Sequence, residues 1–307
     1  FEIACEAVKA SPNMNPSEAD KFLLLPEDGR HDQRIFNNLP HLADWKRPPP
    51  LSLDELPAIP EGFVGRHVMM YQCVTEILHH RLVAICGPSG YGKTAATIAI
   101  AHYLSERRVF RNGVLFVCNG HHNEPLSAAD IVQGLACAMK LPADASERHV
   151  FDALHRRQSL VVIDSPDVQA WAVRTLLANL LGHAGDIKIL FTAEQSLSEN
   201  GPLFGVAEKV HEIKPLDRRS AARLLLRRSP RRVRPGELGC KSREALLDFL
   251  TNHASLCRIP GRIVEVALML RSQDLRAVLN SRENRMSLES VRKTGLSGRN
   301  TKFRKNI

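Results

Sequence analysis

From Pro60 onward the hydrophobic positions of the chain switch between two spacings. Short unbroken apolar runs occupy residues 82–86, 114–118, 160–164 and 188–192, with a weaker one at 209–213. Apolar runs of four to six residues predict strands buried on both faces. Between them, apolar side chains recur three and four positions apart over residues 69–79, 93–106, 128–140, 147–156 and 168–181, which predicts helices. Strands separated by helices imply βαβ crossovers, hence an α/β fold with a parallel sheet covered by helices on both faces. After Asp217 the short runs stop. Helical spacing alone continues at 219–228, 242–252 and 261–271, which predicts a small helical subdomain following the sheet.

Upstream of this pattern, residues 47–61 carry Pro48, Pro49, Pro50, Pro57 and Pro60. Prolines at that density disfavour helix and sheet alike, so the segment reads as a semi-rigid extended linker. Residues 1–46 predict a short helix at 2–9, a polar loop and an apolar strand at 22–25, and the opening at Phe1 reads as a fragment of a longer protein. The expected organisation is therefore a preceding piece (1–46), the linker (47–61), a sheet domain (62–215), a helical subdomain (216–281) and a basic, disordered tail (282–307).

The chemistry concentrates between the first strand and its helix, at Gly87-Pro88-Ser89-Gly90-Tyr91-Gly92-Lys93-Thr94. This matches GxxxxGK[ST], the P-loop, and it stands in the strand–loop–helix context the motif requires. Its glycines let consecutive backbone N–H groups turn toward a phosphate, and the N-terminus of the following helix adds partial positive charge. The cradle runs from Gly87 to Ala95. Lys93 is the expected partner of the terminal phosphates, and the Thr94 hydroxyl is the expected Mg²⁺ ligand. Asp164, at the end of the apolar run 160–164, is the second expected holder of Mg²⁺, because an acid there emerges beside the P-loop. The next residue is Ser165 rather than an acid, with Asp167 the nearest carboxylate after it, which predicts slow or absent hydrolysis.

Taken in order, several segments resemble the STAND class of signalling ATPases, and within it the NB-ARC (AP-ATPase) module of apoptotic and plant-immune regulators. They are Phe63-Val64-Gly65-Arg66, the P-loop, the run ending at Asp164, Lys188-Ile189-Leu190-Phe191-Thr192, the stretch from Leu216-Asp217-Arg218 to Leu225, and Arg258-Ile259-Pro260-Gly261. The resemblance covers residues 62–281 and implies an ATP/ADP-binding switch. In it Val64, Gly65 and Arg66 pack on the adenine and Pro260 touches the base. It further implies protein partners through flanking domains, homo-oligomerisation among the outputs, and a cytoplasmic location. The chain departs from the family at Ala193-Glu194, where an arginine often senses the γ-phosphate, and at Arg258, where the family has glycine. The winged-helix subdomain is not recognisable. Residues 21–36, with Phe22-Leu23-Leu24-Leu25, resemble the last strand and tail of a CHAT (caspase-like) domain, without its catalytic pair.

Charge changes this picture only locally. The chain has 42 Lys+Arg against 33 Asp+Glu, a net +9 that first raises nucleic acid as a partner. Two runs, 218–234 with +8 and 282–305 with +6, carry more than that whole excess. Aromatic residues are 5% of the chain, too few for a base-stacking platform, so the runs read as a solvated helix face and a tail. An ATPase acting on DNA stays open as a rival, as does a scaffold with a degenerate nucleotide site. The 7 cysteines are scattered and never spaced as CxxC, which predicts reduced thiols in an intracellular protein. Cys118 with His121 and His122 lacks a fourth zinc ligand, and no apolar run is long enough to span a membrane.

Overall fold

The computed structural model describes residues 55–119, 124–142, 144–155, 157–200, 207–253 and 256–280. The expectations for residues 1–46, for most of the linker, for His121 and His122, and for the tail from 282 lie outside the described residues.

Five strands, β1 (Leu82–Cys86), β2 (Val114–Val117), β3 (Leu160–Ile163), β4 (Lys188–Ala193) and β5 (Glu208–Glu212), form one sheet in the order β2-β3-β4-β1-β5. Every pairing is parallel. The three middle strands are β3, β4 and β1, and β1 and β3 are buried along their whole length. That accounts for their unbroken apolar sequences. β5 lies at the edge with its side chains largely exposed, which is why its run Glu-Lys-Val-His-Glu gave so weak a signal.

Helices cover both faces. α1 (His67–His79) and α2 (Lys93–Glu106) pack with Val83, Ile85, Val162 and Leu190 on one side. α3 (Ala128–Ala138), α4 (Glu147–Leu154) and α5 (Trp171–His183) pack with Ala84, Leu115, Ile163 and Phe191 on the other. A third apolar cluster belongs to α6 (Arg218–Arg228), α7 (Arg243–Asn252), α8 (Pro260–Met269) and α9 (Leu275–Asn280), and includes Leu225, Leu246, Leu250, Ile263 and Val278. Each fully buried aliphatic side chain of this kind is worth about 1.5–3 kcal/mol relative to exposure.

β1 and α2 have the expected bounds, other element ends differ from expectation by one to three residues, and two of these differences have a plain local cause. α3 stops at Ala138 because Lys140 turns to φ 59° and returns its N–H to Cys137 O at 2.9 Å. α5 begins at Trp171 rather than Val168, since the Asp167 carboxylate holds the preceding turn by accepting Gln169 N–H (3.2 Å) and Ala170 N–H (3.3 Å). Side-chain caps at Ser127, Ser146, Asp217 and Ser242 fix the starts of α3, α4, α6 and α7. α9 was not expected. Its six residues are too few to establish helical spacing by themselves, and Leu275, Val278 and Leu279 join the third cluster only in the folded chain. Among the described residues no disulfide joins the six cysteines, and no helix is long and apolar enough to cross a membrane.

Candidate functional site

The P-loop leaves β1 at Gly87 and enters α2 at Lys93. Gly87 has φ 148°, and a Cβ there would lie 2.7 Å from Ile213 Cγ2, so only glycine lets the loop start flush against the chain after β5. Ile213 is held in that place by its N–H bond to Cys86 O at 2.8 Å. Gly90 (φ 79°) and Gly92 (φ 85°) then take the left-handed conformations that curl the loop. The Lys93 ammonium lies across the inside of this curl, donating to Gly87 O at 2.7 Å and Pro88 O at 3.2 Å. Burial pushes its pKa below the ordinary lysine value, while Glu194 and then Asp164 oppose the shift.

Thr94 donates to both oxygens of Asp164, at 2.9 and 3.1 Å. On its other side Asp164 accepts from Thr192 Oγ1 at 2.7 Å, and the same hydroxyl accepts Ser165 N–H at 2.8 Å. Thr192 is fully buried at the end of β4. Sequence reasoning took it only as the end of a strand. The signal that marks it is a hydroxyl in an otherwise apolar run, since a buried hydroxyl needs a partner. Asp167 does not serve as a substitute acid here. Its carboxylate is committed to the N–H groups that open α5.

The second wall comes from the chain before α1 and from the helical part. Gly65 (φ 69°) and Arg66 (φ 68°) are both left-handed, and a Cβ on Gly65 would lie 2.7 Å from Ser220 Oγ of α6. Arg66 donates to Lys214 O and, at 2.9 Å, to Tyr91 O, so it ties the P-loop to the segment leading into α6. Burial lowers the pKa of its guanidinium, and Asp217 opposes that. The start of α8 meets the loop directly. Gly261 N–H donates to Gly90 O at 2.8 Å, and Pro260 packs against Gly92. Arg258 donates from Nε to Leu216 O at 2.6 Å, and Leu216 N–H returns a bond to Arg258 O at 2.9 Å. This pair locks the entries of α6 and α8 together.

These elements enclose a cleft of about 990 Å³. Ser89, Gly90, Tyr91, Gly92, Lys93, Thr94, Ala95 and Asp164 line it together with Val64, Arg66 and Pro260, and Leu216, Leu224 and Val264 add apolar surface. Gly65, Gly87 and Pro88 lie behind the lining as spacers and carbonyl partners. Among the described residues no three His, Cys, Asp or Glu side chains converge as a metal cluster. The adjacent oxygens of Thr94 and Asp164 nevertheless suit Mg²⁺, which binds through few protein oxygens and keeps several waters.

The arginine run needs correction. Arg228 lines the cleft and faces Glu61 at 3.8 Å. Arg231 makes a two-pronged bond with Glu237 (2.6 and 2.8 Å) and donates to Leu270 O at 2.8 Å, which makes it a structural tie rather than a solvated charge. Arg218, Arg219, Arg223 and Arg227 are exposed on α6.

No family model matches the chain. Over 132 residues it is 33% identical to HTH-type transcriptional regulators of Mycobacterium tuberculosis and Mycobacterium bovis, a stretch equal to 41% of this chain and 14% of those proteins. The chain thus spans only a small part of the curated relatives it matches. Among solved structures it is similar to a Walker-type ATPase of Pyrococcus abyssi, with TM-score 0.52 and 15% identity over 80% of this chain and 79% of that one. A looser likeness, TM-score 0.47 at 14% identity over 80% and 70%, is to Drosophila ORC bound to DNA. With its parallel five-stranded sheet and covering helices, the chain has the α/β fold of the P-loop ATPases.

Proposed function

We propose that this chain is an ATP/ADP-binding switch module that hydrolyses nucleotide slowly. The observation that carries the reading is the shared cleft: Lys93, Thr94 and Asp164 line it from the sheet, and Pro260 lines it from the helical part. A triphosphate in the P-loop curl would take the Lys93 ammonium from the Gly87 and Pro88 carbonyls. Mg²⁺, held by Thr94 and Asp164, would supply charge neutralisation at the phosphates. Val64, Gly65, Arg66 and Pro260 are the residues assigned to the base. Because α8 bonds the P-loop through Gly261 and Gly90, nucleotides that engage the loop differently would favour different placements of the helical part. On this reading residues 62–215 are the nucleotide-binding domain and 216–281 the responding subdomain. The 1–46 piece, reached through the linker 47–61, and the 282–307 tail are routes to protein partners or to self-association. Fluorescent ATP and ADP should bind the parent protein and fail to bind Lys93→Ala. Equal binding by both would defeat the proposal at its base.

A second reading, an ATPase acting on DNA, is favoured by one observation. Arg219, Arg223 and Arg227 stand four residues apart on the exposed face of α6, a row of charges about 6 Å from one to the next. The relatives named as transcriptional regulators are compatible with it. Salt-dependent binding of duplex DNA by this row separates the two readings.

A further inference from the structure

Five parallel strands give the sheet two unlike ends. The P-loop, Asp164 and the cleft lie at the carboxyl end. The amino end lies one strand length away, about 16 Å for a strand such as β1. There the chain enters the neighbouring strands β2 and β3 through two short loops. Arg111 stands three residues before Val114 and Arg157 three before Leu160, and Val114 and Leu160 are register partners. The loops are also bonded to each other. Asn112 N–H donates to Gln158 O at 3.1 Å, Gln158 N–H to Asn112 Oδ1 at 2.9 Å, and the Ser159 hydroxyl to Asn112 O at 3.2 Å. Two arginines far apart in sequence are thereby held on one edge.

Two more arginines come from the turn that ends α2. Arg108 is left-handed (φ 50°), with its N–H on Ser105 O at 2.9 Å, and it directs the chain from α2 toward β2. Arg107 lays its guanidinium 3.6 Å from the centre of the Tyr103 ring and donates to Tyr103 O at 3.3 Å. Arg157 donates from Nε to Ala153 O at 2.9 Å, in the last turn of α4. Arg107, Arg108 and Arg111 are exposed and Arg157 is half-buried, with His155 and Gln158 exposed beside it. Glu106 is the only acid in residues 103–113 and 153–159, and the entry to the adjacent β4 adds Asp186. Among the described residues none of Arg107, Arg111 and Arg157 forms an ion pair with an acid.

Guanidinium forks pair with phosphate oxygens two at a time. Arg107 covers the Tyr103 ring, so these loops offer no free aromatic face on which an unpaired base could stack. Their exposed apolar surface is limited to Val109 and the Tyr103 edge, each 39% exposed, which is too little to enter a lipid surface. The polyanion that fits is one with regularly spaced phosphates and its bases turned inward. We propose that Arg107, Arg108, Arg111 and Arg157, at the amino end of the sheet, form a docking surface for the phosphate backbone of duplex DNA, independent of base sequence. The surface is separate from the arginine row of α6 and does not rest on the nucleotide-site reading. Lying at the end of the sheet away from the cleft, it leaves the P-loop open while DNA is bound.

The test uses the full chain and a short fluorescein-labelled DNA duplex, with fluorescence anisotropy read across a salt series. Replacing the four arginines together by Gln should make the plot of log K against log salt shallower by about 3.6, at roughly 0.9 per phosphate contact, and weaken low-salt binding by about tenfold or more. Arg107 and Arg157 also hold contacts within the protein, so two further variants separate docking from folding. Replacing all four by Lys keeps the charge and should keep the slope. Arg111→Gln changes one exposed side chain, and should keep the parent's melting temperature while the slope falls by about 0.9. A four-fold Gln variant with the parent's slope and affinity would overturn the proposal, as would a parent that does not bind the duplex or binds it without salt dependence. A slope lost only when Arg219, Arg223 and Arg227 are replaced would move DNA to α6 and overturn the assignment to this edge. Binding of the parent to phosphatidylserine–phosphatidylcholine vesicles, with none to the duplex, would overturn it in favour of a lipid surface.

Discussion

The contact between α8 and the P-loop gives the sharpest test of how the two parts of the cleft are coupled. A Cβ on Gly261 would sit 3.1 Å from Gly90 Cα and 3.2 Å from Gly90 O, both backbone atoms of a loop already bonded to Gly261 N–H at 2.8 Å. Two effects compete in Gly261→Ala. Alanine favours the helix over glycine by about 1 kcal/mol, while crowding of a packed contact costs roughly 1–3 kcal/mol. The net for alanine therefore runs from about zero to about 2 kcal/mol unfavourable. Gly261→Val shifts the net further, because the branched side chain gains less helix propensity and adds two methyl groups against backbone that cannot swing aside. If the strain is relieved by separating α8 from Gly90, the helical wall withdraws from the cleft while the sheet stays folded. A loss of about 1–3 kcal/mol in nucleotide binding corresponds to a roughly 5- to 150-fold weaker Kd. Fluorescent-ATP titration should show that weakening in Gly261→Val, with Gly261→Ala weakened less. A Gly261→Val protein that binds nucleotide with the parent's affinity, and melts at the parent's temperature, would refute the coupling.

Three further outcomes follow from particular contacts. Thr192→Val keeps the shape of the side chain but leaves Ser165 N–H without its acceptor and takes from Asp164 one of its two hydroxyl donors, so chemical denaturation should show a loss of about 1–3 kcal/mol. Thr192→Ser should retain most of that stability, and a valine variant as stable as the parent would show that the hydroxyl bridge contributes nothing. The bonds of Arg231 hold the Glu237 carboxyl at about 2 against an ordinary 4.5, so its stabilisation is complete above pH 4.5 and is lost as the pH falls toward 2. Denaturant midpoints measured across that window should fall less steeply for Glu237→Gln than for the parent, and parallel curves would contradict the assignment. For the DNA reading, replacing Arg219, Arg223 and Arg227 together by Gln should reduce the slope of log K against log salt by about 2.7, at roughly 0.9 per phosphate contact. Binding by the parent that is insensitive to salt would end that reading.

The sequence was most legible where one local rule decided the outcome. The middle strands β1 and β3 are apolar throughout, and β4 is so apart from Lys188 and Thr192, because both of their faces are covered, so composition alone located them. The P-loop was legible for a related reason: its glycines meet backbone demands that are local to the loop, such as φ 79° at Gly90 and 85° at Gly92. The short edge strand β5 and the six-residue α9 were faint or invisible, since their character depends on what packs beside them.

The arginine run shows the limit of reading charge from sequence. Eight arginines looked alike, yet Arg231 is bound to Glu237, six residues further on, and Arg228 lines the cleft opposite Glu61. Sequence could count those charges but could not pair them. The same holds for the site. Lys93, Thr94 and Asp164 were readable as types in a motif, whereas Thr192, the Arg258–Leu216 lock and the Gly261–Gly90 bond were not. Each of these joins residues distant in sequence, and only sheet order and helix packing bring them within hydrogen-bond reach. The chain by itself determined the α/β class and the phosphate-binding loop, because periodicity and glycine conformation act over a few residues. Only the tertiary structure decided which residues surround that loop, because those neighbours are set by which strands lie side by side and which helix closes over them.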